Sequence, residues 1–337
     1  MTDIAILHEA QAPDARPDNL DALVQVAEVR AALEARGHRV SIRAIDLDFG
    51  NLLDALKQSQ PDCVVNLVES LGGSDRLITI VPALLAAAGV PFTGSTAEAI
   101  SLSTNKLIAK RWMTAHEVAT PGWLGSDEVA GADGGSWIVK SVWEHASLGI
   151  DEYSVVQGGR ATAARLQQRR DVFGGEWFAE RFVAGREFNV SVLEIAGEPN
   201  VLPIAEINFD GFPTGKPKIV GYAAKWQVDA TEYHNTPRVF PALGKDVDTR
   251  LRQLARTCWK IFGLGGYARV DIRMDESGTP WVLEVNANPC LSQDAGFAAA
   301  AEEAGLGYGQ LIETILDAAL RPTQSGTIPI VGTARSR

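Results

Sequence analysis

The first hundred residues alternate between strand-like and helix-like segments. Apolar runs predict buried strands at Asp3–Glu9, Arg39–Ile45 and Cys63–Val68. The spacing of a packed helix occurs at Leu20–Arg36 and Ile78–Ala88, and each of these segments is followed by a glycine that can end a helix. Strands that alternate with helices predict a doubly wound parallel sheet, whose ligands lie beyond the carboxyl ends of the strands.

The rest of the chain has a mixed pattern. Strands are predicted at Ser136–Val142 and Trp177–Val183, and a closing helix is predicted near Tyr308–Leu320. Another helix is indicated by apolar residues at helical spacing, namely Val247, Leu251, Leu254, Cys258 and Ile261. We therefore expect an α/β fold with an α+β second part, divided into regions 1–103, 104–186 and 187–321 and a loose tail at 322–337.

Composition restricts the class of protein. Of the 337 residues 46% are hydrophobic and 22% are charged, which suits roughly two or three globular domains. No apolar run reaches about 18 residues and no basic segment follows Met1, so we expect neither a membrane span nor a secretory signal. The cysteines, Cys63, Cys258 and Cys290, lie far apart, which predicts a reducing cytosol rather than disulfides or a cysteine zinc site.

The formal net charge of −11 argues against a nucleic-acid partner, because no basic stripe is available to contact a phosphate backbone. A nucleotide ligand is still compatible with this charge. A few lysines and bound magnesium ions can hold a triphosphate on an acidic protein.

Residues Gly266–Pro289 have the pattern of a β-hairpin, in which two alternating apolar runs flank the turn sequence DESGT. If Ser277–Gly278 forms a two-residue loop, Asp271 faces Glu284 on the neighbouring strand. Two carboxylates whose Cβ atoms are ~5 Å apart repel each other and destabilise a sheet. Their pairing therefore predicts a divalent cation between them.

The same register places Arg269 opposite Asn286 on this face of the hairpin. Asn286 adds a neutral oxygen, and an all-oxygen set suits Mg²⁺ or Mn²⁺, with phosphate oxygens and water as the remaining ligands. Arg269 could hold a transferring phosphoryl group or an acyl-phosphate oxygen. The opposite, buried face would carry Val270, Ile272, Leu283 and Val285.

Two alternatives remain open for this hairpin. A strand face with arginine, aspartate, glutamate and asparagine is also typical of a solvated surface. A three-residue loop would shift the register by one residue and separate the four side chains.

Lys106, Lys140 and Lys225 are candidates for binding phosphate groups. Lys140 ends an apolar strand, where an unpaired ammonium is costly unless an anion meets it. The following segment, SVWEHASLG, can present backbone N–H groups and the Ser147 hydroxyl to phosphates. No Walker or dinucleotide-binding glycine motif is present. A solvated surface position is the alternative for each lysine.

Glu180 and Glu187 bracket the segment ERFVAGRE, where the chain leaves a strand through Ala184–Gly185. A crossing from a strand to a linker suits an adenine edge that is read by backbone groups, with a carboxylate accepting the ribose hydroxyls. Surface carboxylates are common, so this segment alone does not define a site.

Four segments occur in a fixed order: IVPALLAAAGVPFTGSTAEAISLSTNK (80–106), WIVKSVWEHASLGI (137–150), ERFVAGREFNVSVL (180–193) and ARVDIRMDESGTPWVLEVNANP (268–289). Together they resemble the D-alanine–D-alanine ligase branch of the ATP-grasp superfamily, over roughly residues 60 to 320. The resemblance implies three domains, with ATP and two Mg²⁺ ions between the central and C-terminal domains. It also implies a homodimer and small-molecule carboxylate and amine substrates.

The resemblance also implies roles for individual residues. Lys106 and Lys140 would hold the nucleotide phosphates under the loop that contains Ser147, and Lys225 would approach the γ-phosphate. The adenine and ribose pocket would be lined by Glu180, Phe182, Val183 and Glu187. The metal ligands would be Asp271, Glu284 and Asn286, beside Arg269 as the catalytic cation.

The implied reaction has two steps. A carboxylate attacks the γ-phosphorus to give an acyl phosphate and ADP, and an amine then displaces the phosphate. An alternative to a ligase with other substrates is a true D-alanine–D-alanine ligase of cell-wall synthesis. A third possibility is a nucleotide-binding protein without catalysis. Such a protein would lack one or more of the metal ligands, and all three are present in this sequence.

The residues that would read D-alanine depart from the family pattern. A glycine-rich opening segment is replaced by HEAQAPDARPD, residues 8–18. A serine, a tyrosine, a histidine, a second serine and a glycine of the family appear here as Ala146, Trp226, Glu69, Ala295 and Cys290. Because substrate-binding polar groups set specificity strongly, we expect a different substrate with the same chemistry.

Several side chains are candidates for the new substrate site. The carboxylates that could receive an ammonium are Glu9, Glu69, Asp75 and Asp294, and His145 and Trp226 suggest a larger or flatter acceptor. A solvated position is the alternative for each. Cys290 follows the strand end as a nucleophile would, but no histidine is close in sequence, so a packing role is favoured.

Overall fold

The computed structural model describes residues 1–11, 17–125, 128–129 and 134–321, which form three β-sheets with helices packed against them. The predicted loose tail, 322–337, lies outside the described residues, as do residues 12–16 of the opening segment. Within the described ranges, no helix is long and apolar enough to cross a bilayer.

The N-terminal sheet is parallel, as the alternation of strands and helices predicts. Its elements are β1 (Asp3–Glu9), α1 (Pro17–Ala35), β2 (Arg39–Ile45), α2 (Phe49–Ser59), β3 (Cys63–Asn66), a 3-10 turn (Asp75–Leu77) and α3 (Ile80–Ala88). The strand order is β2-β1-β3. β3 ends two residues earlier than predicted, and α3 begins two residues later because the 3-10 turn precedes it.

The second sheet is antiparallel, with strand order β4-β7-β5-β6, and two helices lead into it. The elements of this part are α4 (Ala97–Thr104), α5 (Lys106–Ala115), β4 (Trp123–Leu124), β5 (Ser136–Ser141), β6 (Val155–Gln157), α6 (Gly158–Phe173) and β7 (Trp177–Arg181). β5 and β7 end one and two residues earlier than predicted.

The third sheet is the largest. Its strands are β8 (Arg186–Ile195), β9 (Glu198–Val201), β10 (Ala205–Ile207), β11 (Arg238–Val239), β12 (Tyr267–Met274) and β13 (Pro280–Asn286). Its helices are α7 (Tyr222–Trp226), α8 (Thr231–His234), α9 (Lys245–Phe262), α10 (Gly296–Glu303) and α11 (Tyr308–Leu320). The strand order is β11-β10-β8-β12-β13, and β9 pairs with β8. α9 and α11 confirm the two helices predicted for this region.

The N-terminal and third sheets share a hydrophobic core. Ile4 and Ile6 of β1 pack in one cluster with Leu193 of β8, Tyr267 of β12 and Leu311 of α11. All five are at most 2% exposed. This packing holds the carboxyl end of the parallel sheet close to the hairpin β12–β13.

The link between the second and third sheets depends on a glycine. Gly185 has φ of +134°, and a Cβ added there would lie 2.1 Å from the carbonyl oxygen of Met274. No other residue fits so close to that carbonyl, so the crossing from β7 to β8 is fixed at this point.

The predicted pairing of the hairpin is confirmed on its polar side. Asp271 faces Glu284 and Arg269 faces Asn286. The predicted two-residue loop is wrong, because five residues, Asp275–Thr279, connect the strands.

A bulge in β13 reconciles these two observations. The longer loop shifts the pairing near the turn by one residue, so Ile272 faces Val282, and the register shifts back between Asp271 and Ile272. Leu283 occupies the bulge and lines the large cleft, while Val282 is fully buried in the core. The prediction that Leu283 points to the buried face is therefore wrong.

Candidate active site

Every residue that the sequence assigned to nucleotide, metal, catalysis or substrate lines one cleft of about 530 Å³. Its walls come from all three sheets. One part, which we call the basic end, contains Lys106, Lys140, Lys225 and Arg269 with their partner carboxylates. The other part, which we call the acidic end, contains Glu9, Asp21, Glu69 and Asp294.

Asp271 lies between three donors at the centre of the cleft. The Arg269 guanidinium donates to both of its carboxylate oxygens, at 2.7 and 2.9 Å, and Asn189 of β8 donates to Oδ1 at 2.8 Å. Bidentate pairing of this kind fixes both side chains in orientation. Arg269 is thereby held beside the carboxylate that the sequence assigns to a metal.

Glu284 contacts a histidine and lies near a lysine. His145 Nδ1 lies 2.7 Å from Oε1, and Lys106 Nζ lies 3.9 Å from Oε2. Burial would raise the pKa of Glu284, but Lys106, His145 and Lys225 outweigh it and hold the pKa well below its usual range. The carboxylate is therefore charged and able to exchange these partners for a metal ion.

The oxygen donors of Asp271, Glu284 and Asn286 fit magnesium that arrives with a nucleotide. Among the described residues, no group of three or more histidine, cysteine or carboxylate side chains could hold a metal by itself. Mg²⁺ is usually held by one or two carboxylates together with substrate phosphates, and this set provides that number. The residues present fit the ion.

Lys106 occupies an unusual place for a lysine. It is the first residue of α5 and is only 7% exposed, so its charge lies near the positive end of the helix dipole. Its ammonium donates to the Glu144 carbonyl oxygen at 2.6 Å. A cation kept buried in this position indicates an anionic ligand.

Lys225 also lies within the cleft, on α7. Burial lowers its pKa and the charge of Arg269 lowers it further, while Glu284 and Asp271 oppose this shift. Lys225 lines the cleft beside both carboxylates. An anionic ligand at this position would relieve the repulsion between the two cations.

Glu180 of β7 connects two lysines. Its Oε1 lies 2.6 Å from Lys140 Nζ, and its Oε2 lies 2.6 Å from Lys110 Nζ. Burial would raise the pKa of Glu180, but the two ammonium groups outweigh it and lower the pKa. The anion that the sequence required beside Lys140 is therefore this carboxylate.

Glu187 is paired with Arg273, on the same face of β12 as Arg269 and Asp271. Arg273 Nη2 donates to Glu187 Oε2 at 2.6 Å, and Nη1 donates to the Val183 carbonyl oxygen at 3.1 Å. Arg273 is only 3% exposed. It joins the third sheet to the linker that the sequence assigned to adenine and ribose.

The segment 143–149 folds over the cleft and contacts several elements. The His145 N–H donates to Asp75 at 3.1 Å, and the Ser147 hydroxyl donates to the Val220 carbonyl oxygen at 3.2 Å. Ser147 has φ of +61°, a left-handed conformation that costs energy for serine and re-aims its backbone. The Trp226 indole N–H donates to the Ala146 carbonyl oxygen at 3.0 Å. Three hydrogen bonds, each between a backbone group and a side chain, thus hold this segment in place.

Glu69 belongs to the acidic end and is open to the cleft. Gln25 of α1 donates to its Oε1 at 3.1 Å, while the Gln25 carbonyl oxygen accepts the Leu291 N–H at 2.6 Å. The second bond fixes which end of the Gln25 amide faces Glu69. Burial within the cleft raises the pKa of Glu69 to about 7, and the carboxylates of Asp75 and Asp21 add to the shift.

Cys290 contacts a carboxylate and a hydroxyl group in the acidic end. Its thiol donates to Asp21 Oδ2 at 3.4 Å and to Ser292 Oγ at 3.3 Å. Burial raises the pKa of Cys290, and the charges of Glu69 and Asp21 raise it further. A thiol in this environment resists ionisation, which agrees with the packing role favoured from sequence.

Glu9, the last residue of β1, is tied to the loop after β3. Its Oε1 accepts the Gly73 N–H at 2.9 Å, and its Oε2 accepts the Ser70 hydroxyl. Much of its hydrogen-bonding capacity is therefore used within the protein, and Glu69 and Asp21 are more available to a ligand.

Several residues of the site are not predicted from the sequence. They are Asp21, Gln25, Lys110, Asn189 and Arg273. A signal existed for two of them, since Lys110 follows Lys106 by one helical turn and Arg273 shares the strand face of Asp271. The others depend on partners that are distant in sequence.

Known proteins of similar sequence and structure identify the family of this chain. Residues 127–317 match the family model described as D-ala D-ala ligase C-terminus. A D-alanine–D-alanine ligase of Chromohalobacter salexigens is 33% identical over 288 residues, covering 83% of this chain and 84% of that protein. An uncharacterized protein, y4sG, of Sinorhizobium fredii is 31% identical over 310 residues, covering 87% and 86%.

A solved structure has the same fold. The D-alanine–D-alanine ligase of Bacillus anthracis, complexed with ATP, superposes with a TM-score of 0.73 at 20% identity, covering 95% of this chain and 98% of that one.

The fold and the cleft define an ATP-grasp ligase. The chain belongs to the D-alanine–D-alanine ligase family. It is therefore an ATP-dependent enzyme that forms a C–N bond between a carboxylate and an amine, and membership of the family implies use of ATP and a divalent metal ion.

Proposed function

We propose that this enzyme joins two amino acids, or an amino acid and a peptide, other than a pair of D-alanines. It activates a carboxylate as an acyl phosphate and releases ADP and phosphate. The supporting observation is that charge pairing in the basic end suits ATP, whereas Ala146, Trp226 and Glu69 occupy positions that read D-alanine in the family pattern.

The residues of the basic end divide the work of the first step. Lys106, Lys140 and Lys225 hold the triphosphate, and Arg269 neutralises charge on the transferred phosphoryl group. Two Mg²⁺ ions, for which Mn²⁺ can substitute, would be held by Asp271, Glu284 and Asn286 and would neutralise phosphate charge when bound.

The nucleotide base lies at the linker between the second and third sheets. Phe182 and Val183 line the cleft there, beside Glu180 and Glu187. We assign the adenine ring to this wall and the ribose hydroxyls to Glu187. The three sheets correspond to three domains, at 1–103, 104–186 and 187–321, with the nucleotide between the last two.

The second step takes place at the acidic end. Glu69 and Asp21 bind a substrate ammonium, which loses a proton before its nitrogen attacks the acyl phosphate and displaces phosphate. Glu9, Asp75 and Asp294 contribute negative potential around them. His145, which belongs to the segment 143–149, and Trp226, which donates to the Ala146 carbonyl oxygen of that segment, bound the space for the acceptor. The segment 143–149 covers this space and excludes water, which would otherwise hydrolyse the acyl phosphate.

A true D-alanine–D-alanine ligase is the second candidate. It is favoured by the names of the relatives, several of which are D-alanine–D-alanine ligases of 29% to 33% identity. We place the enzyme in the cytoplasm as a homodimer in either case.

Replacing the metal ligands tests the proposed chemistry. Asp271→Ala and Glu284→Ala should each reduce Mg²⁺-dependent ADP release by about 1,000-fold or more, because the transferred charge loses most of its electrostatic stabilisation. Glu302→Ala, at an exposed position of α10, is the matched control and should keep full activity. If both metal-ligand variants turn over ATP like the wild type, the ligase assignment is wrong.

A further inference from the structure

Lys110 is a buried lysine that the reaction as described does not use. It lies one turn after Lys106 on α5 and is only 1% exposed. Its ammonium donates to Thr120 Oγ1 at 2.8 Å and to the Pro121 carbonyl oxygen at 3.0 Å, and it lies 2.6 Å from Glu180 Oε2. The ammonium therefore has three oxygen partners and is almost completely shielded from solvent.

The carboxylate between the two lysines has two separate contacts. Lys110 approaches one oxygen of Glu180 and Lys140 approaches the other, each at 2.6 Å. The two lysines differ in access, since the side chain of Lys140 is 13% exposed and that of Lys110 is 1% exposed. Lys140 lines the cleft, and Lys110 is not among the residues that line it.

The charges of this group decide what Lys140 can do. A pair formed by Lys140 and Glu180 alone would be neutral, and the lysine would have to leave a buried carboxylate unpaired in order to bind a phosphate. An unpaired buried carboxylate is costly. With Lys110 present, Glu180 keeps one cation after Lys140 turns away, and the three groups together carry one positive charge.

We propose that Lys110 is a positioning residue that releases Lys140 for the nucleotide phosphates by holding the charge of Glu180. This inference rests on the proposed assignment of Lys140 to the phosphates. Lys110 acts through two other side chains and does not touch the nucleotide.

Burial lowers the pKa of Lys110, and the charge of Glu180 opposes that shift. The ionised state of Lys110 thus depends on Glu180, as the ionised state of Glu180 depends on Lys110. The neighbouring Trp123 ring, whose centroid lies 5.6 Å from Lys110 Nζ, adds a further contact with the cation.

The test measures binding of ADP with Mg²⁺ and binding of adenosine by calorimetry, in the full-length protein. Lys110→Met should weaken ADP binding about 10- to 100-fold, within the range of a charge-assisted contact. Adenosine has no phosphate, so its affinity should change less than about threefold. Lys110→Arg keeps the charge and should retain most of the ADP affinity.

Two double variants separate the electrostatic role from a structural one. In a Lys140→Met background, Lys110→Met should add little further loss, because both changes remove the same contact. Combining Lys110→Met with Glu180→Gln should restore part of the ADP affinity relative to the adenosine affinity, because Lys140 no longer faces a carboxylate that has lost its second cation. Circular dichroism and thermal unfolding identify any variant that fails to fold. If Lys110→Met does not fold, the double variant of Lys110→Met with Glu180→Gln tests whether Lys110 acts through the charge of Glu180.

The inference is overturned if Lys110→Met weakens adenosine as much as ADP, or if adding Glu180→Gln to Lys110→Met does not raise the affinity for ADP relative to that for adenosine. These results would mean that Lys110 has only a structural role near the adenine pocket. A wild-type protein that binds neither ADP nor ATP would instead contradict the proposed function itself. The two failures are therefore distinguishable.

Discussion

The two ends of the cleft balance charge in different ways. In the basic end each carboxylate faces a cation, as Asp271 faces Arg269 and Glu187 faces Arg273. In the acidic end the partners of Glu69 and Asp21 are neutral, an amide N–H and a thiol. A site with compensated charges can exchange its partners for ATP and metal ions. In the acidic end Arg238 donates to the Asp294 carbonyl oxygen, while Glu69 and Asp21 have no hydrogen bond from a cation among the described residues.

This difference agrees with the identity of the ligands that each end would take. A nucleotide and its metal bring both signs of charge, so the protein supplies both. An amine substrate brings positive charge, so the protein supplies mainly negative charge. Substitutions of single residues in the two ends should therefore have different effects.

Arg269→Met should give the largest effect. We expect kcat to fall about 100- to 1,000-fold, because the positioned cation beside the transferred phosphoryl group is lost. The KM for ATP should change far less, since the three lysines still hold the triphosphate. Steady-state kinetics with the exposed α9 variant Arg250→Met as control would check this, and an unchanged kcat would remove Arg269 from the catalytic group.

Arg273→Met tests whether the basic end depends on charge pairing for stability. The Glu187 carboxylate, whose side chain is 13% exposed, would lose its cation, and breaking a buried pair from one side costs about 3 kcal/mol or more. Denaturant unfolding should record that loss. Glu187→Gln should cost less, because Arg273 keeps its bonds to the Val183 and Lys218 carbonyl oxygens. Equal losses in the two variants would mean that packing, and not charge, stabilises this end.

Glu69→Gln probes the acidic end and should give the smallest effect. The folded-state pKa of Glu69 is raised from its ordinary value of 4.5 to about 7, so the folded protein binds more protons than the unfolded chain between these values. The free energy of unfolding should therefore fall as pH rises from about 4.5 to about 7. Glu69→Gln should flatten this dependence, and the exposed-site variant Glu303→Gln serves as control. An identical slope in Glu69→Gln would show that another group titrates there.

The sequence predicted the basic end better than the acidic end, for physical reasons. Strand periodicity placed Asp271, Glu284, Arg269 and Asn286 on one face, and the observed pairing confirms this placement. The predicted pairing of Asp271 with Glu284 is correct although the predicted loop is wrong, because the bulge at Leu283 restores the register. Turn length is set by local hydrogen bonds, such as those from Ser277 and Thr279 to Asp275, which periodicity does not report.

The contacts that complete the site join residues far apart in the chain. Lys110 and Glu180 are 70 positions apart, Glu187 and Arg273 are 86 apart, and Gln25 is 266 positions from Leu291. Such pairs leave no local pattern in the sequence, so only the folded structure shows which residues contact each other. The acidic end consists almost entirely of such contacts, so the sequence indicates its residues one by one and does not indicate their partners.

The most direct test of the account is ADP release measured with a panel of amino acids and dipeptides. Hydroxylamine in the assay would trap the acyl phosphate and identify the activated carboxylate. We expect turnover with an amino acid or a peptide other than D-alanine, and little turnover with D-alanine alone. Strong turnover with D-alanine alone would contradict the proposal that the acidic end has changed its substrate, while leaving the basic end as described.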